Sequence, residues 1–155
     1  MKGIEIVYLP IDKIKPYERN ARKHGEKDID AIRASIRRFG FNDPLGIWSD
    51  QNIVVEGHGR LLAAKAEGMT ELPCIRLDHL TDEQRRAYAL AHNKTAELSQ
   101  WDYDKLDEEL RKFSEGMDAF GFWIPEDEEP EEIATAQSKE KKPVICPRCG
   151  AECEA

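Results

Sequence analysis

The sequence predicts an α+β fold: a small mixed sheet with flanking helices and a helical C-terminal half. Three observations carry that prediction. Runs rich in β-branched residues, bounded by Pro, Gly and polar turns, recur four times before residue 78. Two segments with apolar residues at helical spacing lie between them. After residue 80 the helical period takes over.

IEIVYLP (4–10) is a short strand that stops at proline, and DKIKPYERNARKHG (12–25) is basic and rich in turn formers. KDIDAIRASIRRFG (27–40) sets Ile29, Ile32, Ile36 and Phe39 on one helical face, with Gly40 as the C-terminal stop. PLGIW (44–48), the polar SDQN turn and IVVE (53–56) read as a β-hairpin. After Gly59, the residues Leu61, Leu62, Ala63 and Ala66 with the closing Gly68 define a helix of two to three turns. LPCIRL (72–77) returns to strand, where Cys74 is expected as a small buried apolar residue. TDEQ (81–84) has the spacing of a capping box and opens a long helix through about Leu98. DYDKLDEELRKF (102–113) is amphipathic, with Leu106, Leu110 and Phe113 on one side, and MDAFGFW (117–123) is a last packed element.

This order implies one domain over residues 1–123, a flexible acidic and then polar linker over 124–142, and a Cys-rich tail over 143–155. Net charge is −8, distributed as +4 over residues 1–42 and −10 over residues 100–132. Overall charge gives no support for nucleic-acid binding, although a local basic face remains able to meet phosphate. No apolar run approaches the ~20 residues of a membrane helix, and the N-terminus lacks a secretory pattern. A cytoplasmic protein is expected.

IVVEGHGRLLAAKAEG (53–68) carries the chemistry. A strand that runs through Gly-X-Gly into a helix presents the helix's first N–H groups to an anion. Gly57 and Gly59 permit positive φ and close ligand approach. Arg60 can grip phosphate in a bidentate fork. Glu56, ending the strand, can hold Mg²⁺ through water or act as a base, and His58 can contact phosphate or donate a proton. The bland alternative is a tight turn, with His58 at the surface and Arg60 paired to the acidic C-terminal half. In the tail, Cys146, Cys149 and Cys153 have the C-x2-C-x3-C spacing of a zinc-ribbon knuckle, three thiolates for Zn²⁺. A fourth ligand would come from a histidine, Cys74, a second chain or water; the alternative is a tail with reactive thiols.

VVEGHGRLLAAKAEGM, with YLPIDKIKPYERNARKH and RASIRRFGFNDPLGIW before it, resembles the ParB N-terminal domain of the ParB/sulfiredoxin superfamily. ALAHNKTAELSQWD (89–102) resembles the following box in phage and mobile-element members, so the likeness spans about residues 4–123. The resemblance implies a nucleotide, CTP or ATP with Mg²⁺, in DNA transactions. Its implied partners are DNA, a DNA methyltransferase or other phage protein, and a second copy as a homodimer; a DNA-binding or adaptor module without turnover, docking such a DNA enzyme, is the alternative. It places phosphates at Gly57-His58-Gly59-Arg60, which aligns with the G-E-R-R turn of partition members. Asn93 is kept from their E-N-x-Q-R box, and Asn20 and Arg22 fall in the first nucleotide box. His58 and Gly59 replace a glutamate and an arginine, so binding is implied and partition-type hydrolysis is not. Members with a D-G-H-x-R turn, including free-serine kinases, match Glu56-Gly57-His58-Gly59-Arg60 better. They imply phosphotransfer or nuclease chemistry with Glu56 and His58 as catalytic groups. The sulfiredoxin cysteine position is occupied by His58.

Overall fold

The computed structural model describes residues 4–113 and 116–122, together with the backbone of 144–145 and 152–153. The chain divides into two compact units, Met1–Ile124 and Pro125–Ala155.

The first unit is built on a mixed sheet of four strands, β1 (Ile6–Pro10), β2 (Leu45–Trp48), β3 (Ile53–Glu56) and β4 (Glu71–Arg76), in the order β1-β4-β2-β3. β1 runs antiparallel to β4 and β3 antiparallel to β2, while β2 and β4 pair in parallel. The helices are α1 (Glu26–Phe39), α2 (His58–Ala66), α3 (Asp82–Leu98) and α4 (Tyr103–Leu110). The expected α+β architecture therefore stands. The second helix begins at His58, one residue before Gly59, and α4 stops at Leu110 rather than continuing through Phe113.

The core joins Leu45, Ile47, Val54, Leu72 and Cys74 of the sheet to Leu61 and Ala64 of α2 and to Ile14. Burying each Leu or Ile side chain contributes about 1.5–3 kcal/mol relative to exposure. Cys74 is fully buried, and burial pushes its thiol up to about 11. It is a packing residue. α1 has no fully buried residue; its apolar stripe is only half-covered, and Phe39 is largely exposed.

Two devices place the site. Lys15 pairs with β3: its N–H donates to Asn52 O (3.1 Å) and its carbonyl accepts from Val54 (2.8 Å). That stitch lays the basic segment 15–24 along the end of β3. α3 opens with the expected capping box, Thr81 and Gln84 exchanging side-chain-to-backbone bonds of 3.2 and 2.9 Å. One turn later Arg85, buried and paired with Asp82 at 2.6 Å, lies between the rings of Tyr17 and Trp48 at 4.6 and 4.7 Å. Cation–π contacts to the two rings tie α3 to β2 and to the segment that carries Tyr17.

In the second unit, β5 (Val144–Ile145) and β6 (Glu152–Cys153) pair antiparallel, with Val144 opposite Cys153. Cys146 and Cys149 lie outside the described residues, and Cys153 is described by its backbone alone. No helix among the described residues is long and apolar enough to cross a membrane.

Candidate functional site

β3 leaves the sheet at Glu56, and Gly57 turns the chain into α2 as its N-cap with φ 92° and ψ 25°. This left-handed conformation suits glycine, and a Cβ at this position would meet Leu45 Cδ2 at 2.6 Å. No side chain caps the helix, so its first N–H groups face the cleft without a competing protein acceptor. Gly59 corrects the sequence reading. It is buried within the helix, outside the positive-φ set, and a Cβ there would meet His24 and Ile32 at 2.9 Å. The missing side chain lets His24 and Ile32 pack closely against α2 at a position that also lines the cleft.

Arg60 points back along the first turn of α2. Its Nη1 donates to Asp43 O at 2.9 Å and pairs with the Asp43 carboxylate, in the loop between α1 and β2. The pairing with the acidic C-terminal half is thus replaced by a local one. Burial lowers the Arg60 pKa, but a guanidinium remains cationic at any physiological pH.

The opposite wall comes from the basic segment. Asn20 brackets Arg22, accepting from its N–H (3.3 Å) and donating to its carbonyl (2.9 Å). Arg22 Nη1 then donates to Asn93 Oδ1 at 3.2 Å, while Asn93 Nδ2 donates to Ala89 O at 2.8 Å. His58 Nε2 accepts the Tyr17 N–H at 3.2 Å. That bond requires neutral imidazole protonated at Nδ1. Burial, then the neighbouring charge of His24, lowers the His58 pKa. Two basic residues of α1 are committed to structure: Arg33 and Arg37 grip Glu67 at 2.6 Å each.

Three groups that spacing alone did not single out support the cleft: His92 and His24 line it, and Tyr88 holds Glu56. Tyr88 donates its hydroxyl to Glu56 Oε2 at 2.8 Å, and His92 Nδ1 lies 3.3 Å from the same oxygen. Residues 88 and 92 are one helical turn apart, which is why they converge. Burial and then the Glu56 hydrogen bond push the Tyr88 phenol up to about 12. Glu56 itself lies against Gly46, whose hypothetical Cβ would meet Glu56 Cγ at 2.5 Å. His24, held by Asp28 at 2.5 Å, closes the floor beside Gly59. An i,i+4 Tyr–His pair and an i,i+4 His–Asp pair were present in the sequence; what they faced was not.

All eight non-cysteine residues singled out from sequence (Asn20, Arg22, Glu56, Gly57, His58, Gly59, Arg60 and Asn93) line one cleft of about 220 Å³. A second cleft of about 270 Å³ adjoins it, with walls of Ile32, Ile36, Phe39 and Phe41. The two share Ile32, Asp43 and Arg60.

The fold and the cleft define a small α+β domain with a polar pocket at a strand–glycine–helix turn. The chain belongs to the ParB N-terminal domain family, whose model matches residues 1–94. It is 37% identical over 83 residues to the ParB-like nuclease domain-containing protein YnaK of Escherichia coli (strain K12), a match covering 54% of this chain and 94% of that protein. The C-terminally truncated chromosome-partitioning protein ParB from Caulobacter crescentus, solved in complex with CTP-gamma-S, shares the fold. Its TM-score is 0.62 at 17% identity, over 76% of this chain and 69% of that one. Sulfiredoxin from Arabidopsis thaliana gives 0.46 at 25% identity, over 56% of this chain and 97% of that one.

Proposed function

We propose that this domain binds a nucleoside triphosphate, CTP or ATP with Mg²⁺, and serves DNA transactions of a phage or mobile element. The phosphates sit at the Gly57–Arg60 turn and the base enters the adjoining apolar cleft. The observation that carries this reading is the convergence of an uncapped helix N-terminus, the Arg60 guanidinium and Arg22 on one cleft. Positive dipole end, two cations and free N–H donors together favour a polyanion. Among the described residues no group of three His, Cys, Asp or Glu is placed to hold a metal. This suits Mg²⁺ that arrives on the nucleotide, held by phosphate oxygens with one or two protein groups beside them. Glu56, Asp43 and Asn93 are the available ones.

The Glu56 carboxylate, held by Tyr88 and His92, favours a second reading in which the cleft cuts or transfers phosphate; the nuclease-domain name of the Escherichia coli relative points the same way. DNA, a methyltransferase and a second copy of the chain belong to the proposal through family resemblance alone, as does Zn²⁺ at Cys146, Cys149 and Cys153. Thermal melting with each nucleotide and Mg²⁺ tests the main reading. CTP or ATP raises Tm, and Arg60→Ala removes the rise; no shift with any nucleotide would refute it. Phosphate release or DNA nicking that survives Glu56→Ala would discard Glu56 as the catalytic carboxylate.

A further inference from the structure

The apolar cleft beside the phosphate turn is lined by four polar side chains, of which Asp43 and Arg60 are paired with each other and Ser35 and Asn42 are left for a base to meet. Ser35 has a rotating hydroxyl that donates or accepts according to the ligand. Asn42 is different, because its amide is fixed. Its Nδ2 donates to Phe39 O, the carbonyl near the end of α1, at 2.6 Å. A carbonyl accepts only from the NH₂ side of an amide, so this bond settles which end faces where. The Oδ1 is left as the amide's acceptor on the cleft wall, next to the Arg60–Asp43 pair that joins the two clefts.

The geometry points to Asn42 as the residue that sets base specificity, by accepting a hydrogen bond from an exocyclic amino group. Cytosine and adenine carry the amino group at C4 and C6, where it satisfies the Asn42 oxygen. Uracil and guanine carry a carbonyl at those positions, guanine's own amino group lying at C2, and so set two acceptors face to face. The flat ring itself is accepted without distinction by Ile32, Ile36 and Phe39, which supply area but no direction. Selection thus falls to one oriented acceptor at the edge of an apolar wall. The inference rests on the nucleotide reading above and deepens it.

Calorimetric titration of the full chain with CTP, UTP, ATP, GTP and inorganic triphosphate, each with Mg²⁺, tests it. CTP is expected to bind about tenfold tighter than UTP, and ATP about tenfold tighter than GTP, the scale of one well-made hydrogen bond against an unmet acceptor. Asn42→Ala brings both ratios to about one by weakening CTP and ATP, with UTP, GTP and triphosphate unchanged. Asn42→Asp keeps an acceptor but gives up the bond to Phe39, and keeps both ratios even as its charge weakens all ligands alike. Equal binding within each wild-type pair overturns the inference, as does a ratio unchanged in Asn42→Ala or lost in Asn42→Asp. So does a uniform loss of all ligands in Asn42→Ala, which would mark Asn42 as a loop anchor. Triphosphate binding without base preference sinks this inference alone, whereas binding of no ligand at all sinks the nucleotide reading beneath it.

Discussion

The two ends of α2 carry the same chemistry to opposite effect. At its C-terminal end Glu67 receives Arg33 Nε at 2.6 Å, Arg37 Nε at 2.6 Å and Arg37 Nη2 at 2.7 Å, and its side chain is only 14% exposed. A carboxylate at a helix C-terminus opposes the macrodipole, and two guanidinium groups from α1 offset it. At the N-terminal end the polarity is reversed. Arg60, 19% exposed, has one carboxylate partner, Asp43, whose side chain is 77% exposed and free to turn into solvent. A carboxylate gripped by two arginines in a sheltered seam belongs to the architecture. One that swings in water is exchangeable, and a phosphate can replace it. Surrounding burial, rather than the residue pair, separates the fixed clasp from the open grip.

The contrast breaks most severely at Gly57. Gly57→Ala forces a side chain into φ 92° and against Leu45, and is expected to cost about 1–3 kcal/mol of stability while abolishing nucleotide binding. Denaturant unfolding and a thermal-shift titration measure the two effects. Glu67→Gln tests the clasp: a clear fall in Tm with nucleotide affinity intact. Were affinity to fall in step with stability at pH 7, the two ends would not be separable. Asp43→Asn tests the open end and is expected to do the reverse. Tm moves little, and pyrophosphate measured without Mg²⁺ binds several-fold tighter because Arg60 has lost its internal competitor. Weaker binding would show that Asp43 positions Arg60 instead. Tyr88→Phe removes one donor to Glu56 and should lower stability by about 0.5–1.5 kcal/mol.

The smallest effect is one of pH. Burial holds the folded His58 pKa below its ordinary value near 6.5. The unfolded chain therefore takes up a proton before the folded one does, so stability is full above about pH 6.5 and is lost as pH falls toward the folded pKa. Glu67, held below its usual range first by the Arg37 hydrogen bond and then by Arg33, adds a further loss at more acid pH. In His58→Asn the decline between pH 7 and 5.5 should flatten, as read by Tm across that range; an unchanged slope would place the acid sensitivity elsewhere.

Much of the site could be read from the chain because its residues are local. Glu56 through Arg60 are consecutive, and a strand meeting a helix through glycine has few geometries. The partners could not be read. Tyr88 lies 32 positions from Glu56, Arg22 lies 71 from Asn93, and Tyr17 lies 41 from His58. Nothing in local spacing records such pairings. The positive φ expected at Gly59 was misread for the same reason: its constraint is the close approach of His24 and Ile32, which no turn rule contains.

The sequence by itself determined the order and type of the elements, the capping box of α3 and the glycine that turns β3 into α2. Periodicity, caps and turn residues act over a few positions, where covalent geometry dominates. Tertiary structure alone decided which cation meets which carboxylate, that His58 faces the Tyr17 backbone, and that a polar and an apolar cleft share the Arg60–Asp43 pair. Those outcomes depend on what burial leaves exposed once the sheet and helices have packed.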